Sequence, residues 1–422
     1  ILKHSDGKPF FWLGDTAWNG PLKASLEDWR SYLDNRSGKG FNVVQFVTTQ
    51  WLAAAGNADA RRAYTGRTPI EIDPVFFQWM DQRMDAMNDA GFLGAGVIAW
   101  AAIWSEPGLE LSPGTSLPDA EIVRLARYML ARYGAHHMCW ILAGDGQYEG
   151  AEAARWARIG REAFAGLDAL ATIHPGGHLW VEEEFRPEPW FGLSGYQSGH
   201  WKTPESARWI TSGPAHESWK QGPAIPRINL EFCYEGHEDF DAHQRFNDYD
   251  IRRDAYGSLL STAPAGVTYG CHGLWSWESK ENPPMSHPKT GVAPPWFHAI
   301  HFPGSFSMKY LREIFEAVDW WRLRPCPELL HHQPGDLDAF AYVSAARSDL
   351  GDLAIFYVPK STPVTVRSGL LRAGLAIEII EPASGLRRSA GFLSDTAATT
   401  IHPDTAADAV ILLRSERATL TA

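Results

Sequence analysis

The sequence predicts an α/β fold: a parallel (β/α)8, or TIM, barrel over residues 1–325, followed by a small all-β sandwich over residues 330–422. Two patterns predict it. In the first part, apolar β-rich runs alternate with amphipathic helical stretches, as a parallel sheet with crossover helices requires. From about residue 330 the helical periodicity stops, and short strand-like runs punctuated by Gly and Pro take over. A doubly wound open sheet is the competing arrangement. Against it, the first strand–helix junction, Gly14-Asp15-Thr16-Ala17-Trp18-Asn19-Gly20, lacks the glycine spacing of a dinucleotide fingerprint.

The barrel strands are expected at residues 10–15, 42–49, 93–100, 138–145, 169–174, 193–197, 227–233 and 267–275. The first helix, 25–39, has Ser25 as its cap and Asp28 three residues on. The second, 74–90, carries Phe76, Phe77, Met80, Met84 and Met87 at three- and four-residue steps, one apolar face. Similar patterns cover 119–133, 151–167, 246–260 and 308–321, whereas the segment between strands five and six reads as a loop. In the second part, runs at 339–345, 353–358, 365–366, 377–381 and 409–413 read as short strands.

Composition narrows the function. A net charge of −12 and a pI near 5.7 repel nucleic acid and anionic membrane surfaces, so neither is an expected partner. No apolar run of about 20 residues is present, as a membrane-spanning helix would need. No signal peptide opens the chain and Ile1 is not an initiator Met, which leaves the location open between the cytoplasm and a processed secreted form. The oligomeric state stays open too. The chain holds 19 Trp, 13 Tyr and 20 Phe. Sugars present flat C–H patches that stack on aromatic faces, so pairs such as Trp100/Trp104 and Trp275/Trp277 at strand ends suit a carbohydrate substrate. The bland alternative is that Trp fills a large core. Cys139, Cys233, Cys271 and Cys326 show no metal-ligand spacing, and the adjacent pairs His136–His137 and His331–His332 cannot both face one ion from a regular strand. No phosphate-binding loop and no nucleophile elbow appears. No cofactor and no metal is expected.

Side chains at the carboxyl ends of barrel strands line the active site in this architecture. In strand seven, alternation puts Asn229, Glu231 and Cys233 towards the barrel axis and Ile228, Leu230 and Phe232 towards the helices. An inward carboxylate with no evident basic partner is costly to bury, and function is the commonest reason to accept that cost; a structural pair with Arg227 is the alternative. Asp145 closes the apolar run 139–144, several residues too early to cap the next helix. Two carboxylates are what glycosidic cleavage needs, one protonated to assist the leaving oxygen and one ionised to attack or to activate water. Asp145 and Glu231 are therefore the catalytic candidates. Asp15, Trp18, Gln50, Trp51, His174, Gln197, Tyr234, Glu235, His272 and Trp277 are the candidates for substrate binding, each with a satisfied core or rim residue as its alternative.

The opening run Asp6-Gly7-Lys8-Pro9-Phe10-Phe11-Trp12-Leu13-Gly14-Asp15-Thr16-Ala17-Trp18 resembles the start of the apiosidase-like glycoside hydrolases, glycoside hydrolase family 140. So do Lys39-Gly40-Phe41-Asn42-Val43-Val44-Gln45, the run ending at Asp145, Glu231-Phe232-Cys233-Tyr234-Glu235 and Ala265-Gly266-Val267-Thr268-Tyr269-Gly270. The resemblance implies a TIM barrel with a small β domain, an acid/base at Asp145, a nucleophile at Glu231, and release of the branched pentose apiose from pectic side chains or plant glycosides. The chain departs from the family at Phe232, where Pro is more usual, and in the loops 107–114 and 176–190. Other pentofuranosides and whole disaccharide units therefore stay open, as do a transglycosylase and a non-catalytic sugar-binding barrel.

Overall fold

The first eight strands owe their burial to their composition. They are short runs, largely apolar or Gly with a few buried polar residues among them, whose two faces are both covered, as a parallel sheet between a core and a ring of helices demands. The structure, a computed structural model, describes residues 1–102, 108–222 and 225–415. The strands are β1 (Trp12–Thr16), β2 (Val43–Val47), β3 (Leu93–Trp100), β4 (Met138–Gly146), β5 (Leu170–Pro175), β6 (Ser194–Gln197), β7 (Arg227–Glu231) and β8 (Gly266–Tyr269). They form one 8-stranded parallel sheet in the order β5-β4-β3-β2-β1-β8-β7-β6. A single bridge, Ala171 to Phe191, joins its two edges, with the Gly192 N–H donating to the Ala171 carbonyl at 2.9 Å. The sheet is thus a nearly closed barrel. Trp104 lies outside the described residues, as does Pro107 at the start of the 107–114 loop.

The helices follow the apolar periodicity. They are α1 (Leu26–Gly38), α2 (Pro74–Asp89), α3 (Asp119–Tyr133), α4 (Gly150–Ala163), α5 (Pro204–Ser212), α6 (Pro214–Gln221), α7 (Asp248–Ser261) and α8 (Pro303–Glu316). Ser25 caps α1 by accepting from the Asp28 N–H at 3.0 Å. Between β5 and β6 there is only a single turn, Glu182–Phe185, in keeping with the loop-like sequence there. The pair α5 and α6 was not anticipated. Pro204 and Pro214 each start one of them, and Gly213 between them is too close to the Trp209 carbonyl, 2.3 Å from an added Cβ, to carry a side chain.

In two strands the departure from the sequence expectation shapes the site. β8 stops at Tyr269 rather than running to 275. The chain turns at Gly273, which has φ +88° and approaches the Pro294 carbonyl too closely for a Cβ. β7 contains a bulge: Asn229 pairs with Tyr196 but Glu231 pairs with Gln197, leaving Leu230 as an extra residue. Strict alternation therefore fails here. Asn229 does not face the axis; its amide donates to Ser258 Oγ of α7 at 3.0 Å. Cys233 also turns towards α7, beside Asp254. Beyond the bulge, Glu231 is re-aimed into the barrel mouth.

The C-terminal strands are β9 (Leu323–Pro325), β10 (Ser344–Ser348), β11 (Leu353–Val358), β12 (Val364–Arg367), β13 (Ala376–Ile380), β14 (Arg387–Phe392), β15 (Ala398–Ile401) and β16 (Ala409–Arg414). Six of them make an antiparallel sheet in the order β9-β10-β11-β16-β13-β14, and β12 pairs with β15 in a separate ribbon. One face of the sheet packs on that ribbon through Phe356, Ile377, Val366 and Ile401. The other face, with Ile355, Tyr357, Val410 and Leu412, joins the core of the barrel.

Candidate active site

A cavity of about 350 Å³ opens at the carboxyl ends of the barrel strands. That volume is at the small end for ligand sites, which fits one or two rings better than a long polymer. Glu231 lies at its floor, 7% exposed. His200 Nε2 is 2.9 Å from Glu231 Oε1, and His174 Nε2 is 3.5 Å from Oε2. The second distance is an electrostatic contact rather than a good hydrogen bond. The tautomer of His200 follows from its other nitrogen: the Tyr234 backbone N–H donates to His200 Nδ1 at 3.3 Å, so Nε2 carries the proton and donates to Glu231. Burial pushes the Glu231 carboxyl up, but the imidazoles of His174 and His200 set against its two oxygens outweigh burial and hold the group well below the usual carboxylate range. Tyr234 adds to this arrangement. Its hydroxyl accepts from Trp18 Nε1 at 3.1 Å, and burial, followed by the charge of Glu231, raises its own pKa well above normal.

Asp145 stands on β4, across the mouth from β7, and lines the same cavity. It too follows a strand irregularity. Between Ile141 and Gly146 the pairing of β4 with β5 slips twice, and Asp145 has φ +57°. Left-handed backbone at a non-glycine residue costs roughly 1–2 kcal/mol and is enriched at functional positions. Its charge is felt by the buried Tyr148 phenol, whose pKa is raised by burial first and by Asp145 second.

Aromatic rings make the walls. Trp51 and Trp100 meet at 4.3 Å between centroids, Trp18 and Trp100 at 5.2 Å, and Trp275 completes this side. Across the mouth are Gln197, Trp201 and Phe240, with residues 286–290 along the rim. Behind Glu231, His200 stacks on His237 at 4.2 Å, and His237 meets His272 at 5.3 Å. Burial holds His237 well below its usual pKa and lowers His272 to about 4. Among the described residues, no group of three His, Cys, Asp or Glu is placed to hold a metal ion. Nor is any described helix long and apolar enough to cross a membrane.

The cavity thus brings together Asp145, Glu231, Trp18, Trp51, Gln197 and Tyr234. His174 touches Glu231 from behind and is itself fully buried. The other candidates lie elsewhere and are occupied by structural partners. Asp15 is fully buried, with Arg36 Nε and the Tyr32 hydroxyl both donating to Oδ2 at 2.7 Å. Gln50 Oε1 accepts from the Ala63 N–H at 2.9 Å and orders the loop after β2. Glu235 accepts from the Tyr269 hydroxyl at 2.6 Å and from the Gly304 N–H at 3.0 Å, anchoring the start of α8. His272 Nε2 sits 3.0 Å from the Gly291 carbonyl, and Trp277 stacks on Trp296 at 4.7 Å. Trp201, His237 and Phe240 line the cavity without having been singled out in the sequence. The density of aromatic and His residues in 196–201 and 234–240 was the available signal.

Comparison with known proteins agrees with this geometry. The family model for the apiosidase-like catalytic domain matches residues 1–322. A solved structure described as a glycoside hydrolase superposes with a TM-score of 0.86 at 21% identity, covering 99% of this chain and 95% of that one. A glycoside hydrolase family 5 protein from Bacteroides vulgatus gives 0.84 at 20% identity, covering 98% and 91%. A maltogenic α-amylase from Thermotoga neapolitana gives 0.55 at 10% identity, covering 96% and 98%. Likeness at these identities shows the shared fold. A comparison with curated proteins finds no match. The family match spans the whole barrel, including both strands that carry the cavity's carboxylates, and the chain accordingly belongs to the apiosidase-like catalytic domain family and is a glycoside hydrolase.

Proposed function

We propose that this enzyme removes a terminal pentofuranoside, of the apiose type, or a similar short glycoside, by a retaining two-carboxylate mechanism. Glu231 attacks the anomeric carbon as the bond to the leaving oxygen breaks, and the Asp145 carboxyl gives that oxygen its proton. Water then attacks the glycosyl–Glu231 ester, loses its proton to Asp145 and frees Glu231. One observation carries the reading: Glu231 is kept ionised at the cavity floor by His200 and His174, while a second carboxylate faces the same small cavity from β4. A group held ionised in a water-poor site suits attack, and the more exposed Asp145 suits proton exchange.

The test is a panel of aryl furanosides and pyranosides, with plant glycosides bearing terminal apiose, run beside Glu231→Gln. Release of one sugar by the wild type alone, with the anomeric configuration kept in the first-formed product, is the expected result. Inverted product would replace Glu231 as nucleophile by Glu231 as base, and hydrolysis of pyranosides only would overturn the sugar class.

A further inference from the structure

Three histidine rings stand in a row on the Glu231 side of the cavity, His200 4.2 Å from His237 and His237 5.3 Å from His272. Their contacts fix which nitrogen of each carries the proton. His200 donates from Nε2 to Glu231 and accepts the Tyr234 N–H at Nδ1. His272 has Nε2 3.0 Å from the Gly291 carbonyl oxygen, which only an N–H can meet, and its Nδ1 accepts from Trp275 Nε1 at 3.3 Å. In both of these rings each nitrogen is engaged.

His237, between them, is wired differently. Its Nδ1 lies 2.5 Å from the Glu238 carbonyl oxygen and so donates. Nε2 is left with the lone pair, and no donor among the described residues meets it. Unlike the sealed Oε1 of Gln197, this nitrogen keeps solvent access, and the ring lines the cavity although the residue as a whole is 2% exposed. The lone pair is also protected from protonation: burial first, then the neighbouring His200 and His272 rings, hold His237 well below its usual pKa. The ionised Glu231 close by is an acceptor too, so the missing donor must come with the ligand. A hydroxyl is the donor that a neutral sugar brings.

From this wiring we infer that His237 is a specificity-determining residue: its Nε2 accepts a hydrogen bond from one hydroxyl of the terminal sugar, and the site selects sugars that carry a free hydroxyl there. The neighbouring ring says which part of the substrate this is. His200 stacks on His237 and binds Glu231 Oε1 at its edge, so the hydroxyl belongs to the sugar whose anomeric carbon Glu231 meets. A deoxy or O-methylated carbon at that place has no proton to give and leaves Nε2 unmet. This assignment rests on the glycosidase reading above, and it adds a demand on the substitution of the sugar that the reading leaves open.

The experiment is a cycle between enzyme and substrate. It uses the aryl glycoside of the sugar that the wild type releases, and its monodeoxy analogues, one hydroxyl removed at a time, all with the same aryl leaving group. His237→Phe keeps a ring to stack on His200 and loses the acceptor, whereas His237→Gln puts an amide oxygen near the place of Nε2. His237→Phe is expected to lower kcat/KM on the parent glycoside about tenfold, the size of one hydrogen bond, and to stay within about twofold of the wild type on one analogue. His237→Gln should recover most of the loss on the parent. Each ratio of variant to wild type is taken on a single substrate, so differences in intrinsic reactivity cancel. A fall in the same proportion on the parent and on every analogue, or no fall at all, overturns the assignment and leaves the hydrolase reading intact. Failure of the wild type on every glycoside overturns the hydrolase reading itself and the assignment with it. The spared analogue also shows that the variant is folded.

Discussion

At the scale of single residues, the roles proposed for Asp145 and Glu231 can be told apart by the leaving group. Asp145→Asn is expected to slow sugar leaving groups by about 10²–10⁴-fold and to spare dinitrophenyl glycosides, which depart without a proton. Glu231→Gln is expected to lose both, by about 10⁴-fold or more. Equal losses in both variants on both substrates would sink the assignment. The proposed role of Glu231 also predicts a pH response that depends on His200. In the wild type the Glu231 carboxyl lies below the usual range, so the acid limb of kcat/KM should not sit at ordinary carboxylate pH. His200→Ala removes a donor that lowers this pKa and leaves burial, which raises it, so the acid limb should move to higher pH. An unmoved limb would show that His200 does not tune Glu231. The sequence made both carboxylates legible, because each ends an apolar strand where an acid is conspicuous. It misplaced Asp15, Gln50, Glu235, His272 and Trp277 relative to the cavity for one physical reason. Proximity to a strand end is visible in one dimension, but a side chain's partner is not: Arg36 reaches Asp15 from α1, and Gly304 reaches Glu235 from α8.

Among the elements, the strand irregularities matter more than the regular pairing. Eight strands and most helices could be read from periodicity because burial on two faces, or on one stripe, imposes it. Bulges leave no such trace. The extra residue in β7 puts Asn229 and Glu231 on opposite faces, sending Asn229 towards α7 and Glu231 to the mouth, and the slips in β4 accompany the left-handed backbone at Asp145. Glycine shows where elements touch. Gly266 begins β8 at φ +144°, with an added Cβ only 2.1 Å from the Trp12 carbonyl. Gly266→Ala is therefore expected to destabilise the protein by about 3 kcal/mol, read as a lower urea midpoint; an unchanged midpoint would mean that β1 and β8 yield more easily than their spacing implies. The buried Asp15–Arg36 pair clamps α1 to β1, which explains why an acid at this strand end serves structure.

For the whole molecule, the barrel and the C-terminal sheet share one apolar core. Arg252 of α7 donates to both carboxylate oxygens of Asp408, at 2.7 and 3.1 Å, and the Tyr357 hydroxyl also donates to Asp408 at 2.9 Å. Tyr256 and Tyr357 stack at 4.6 Å across the same boundary. Asp408→Ala leaves the buried Arg252 guanidinium with Asp248 but without these oxygens, and about 1–3 kcal/mol of stability should go with it. Calorimetry of the intact chain should then show one unfolding transition, shifted down as a unit in the variant; two transitions, with only one shifted, would mean that the parts fold separately.

That shared boundary reaches the cavity wall. Lys202, next to Trp201, forms an ion pair with Asp250 in the first turn of α7, and the neighbouring Arg253 lies over the Phe340 ring. Tyr249, on the same turn, donates to the Pro359 carbonyl at 2.9 Å. The sheet is therefore not an interchangeable accessory. A chimera that grafts this barrel onto a foreign C-terminal module would lose the footing of the cavity wall at Trp201, and substrate preference and partner module should be inherited together rather than shuffled apart.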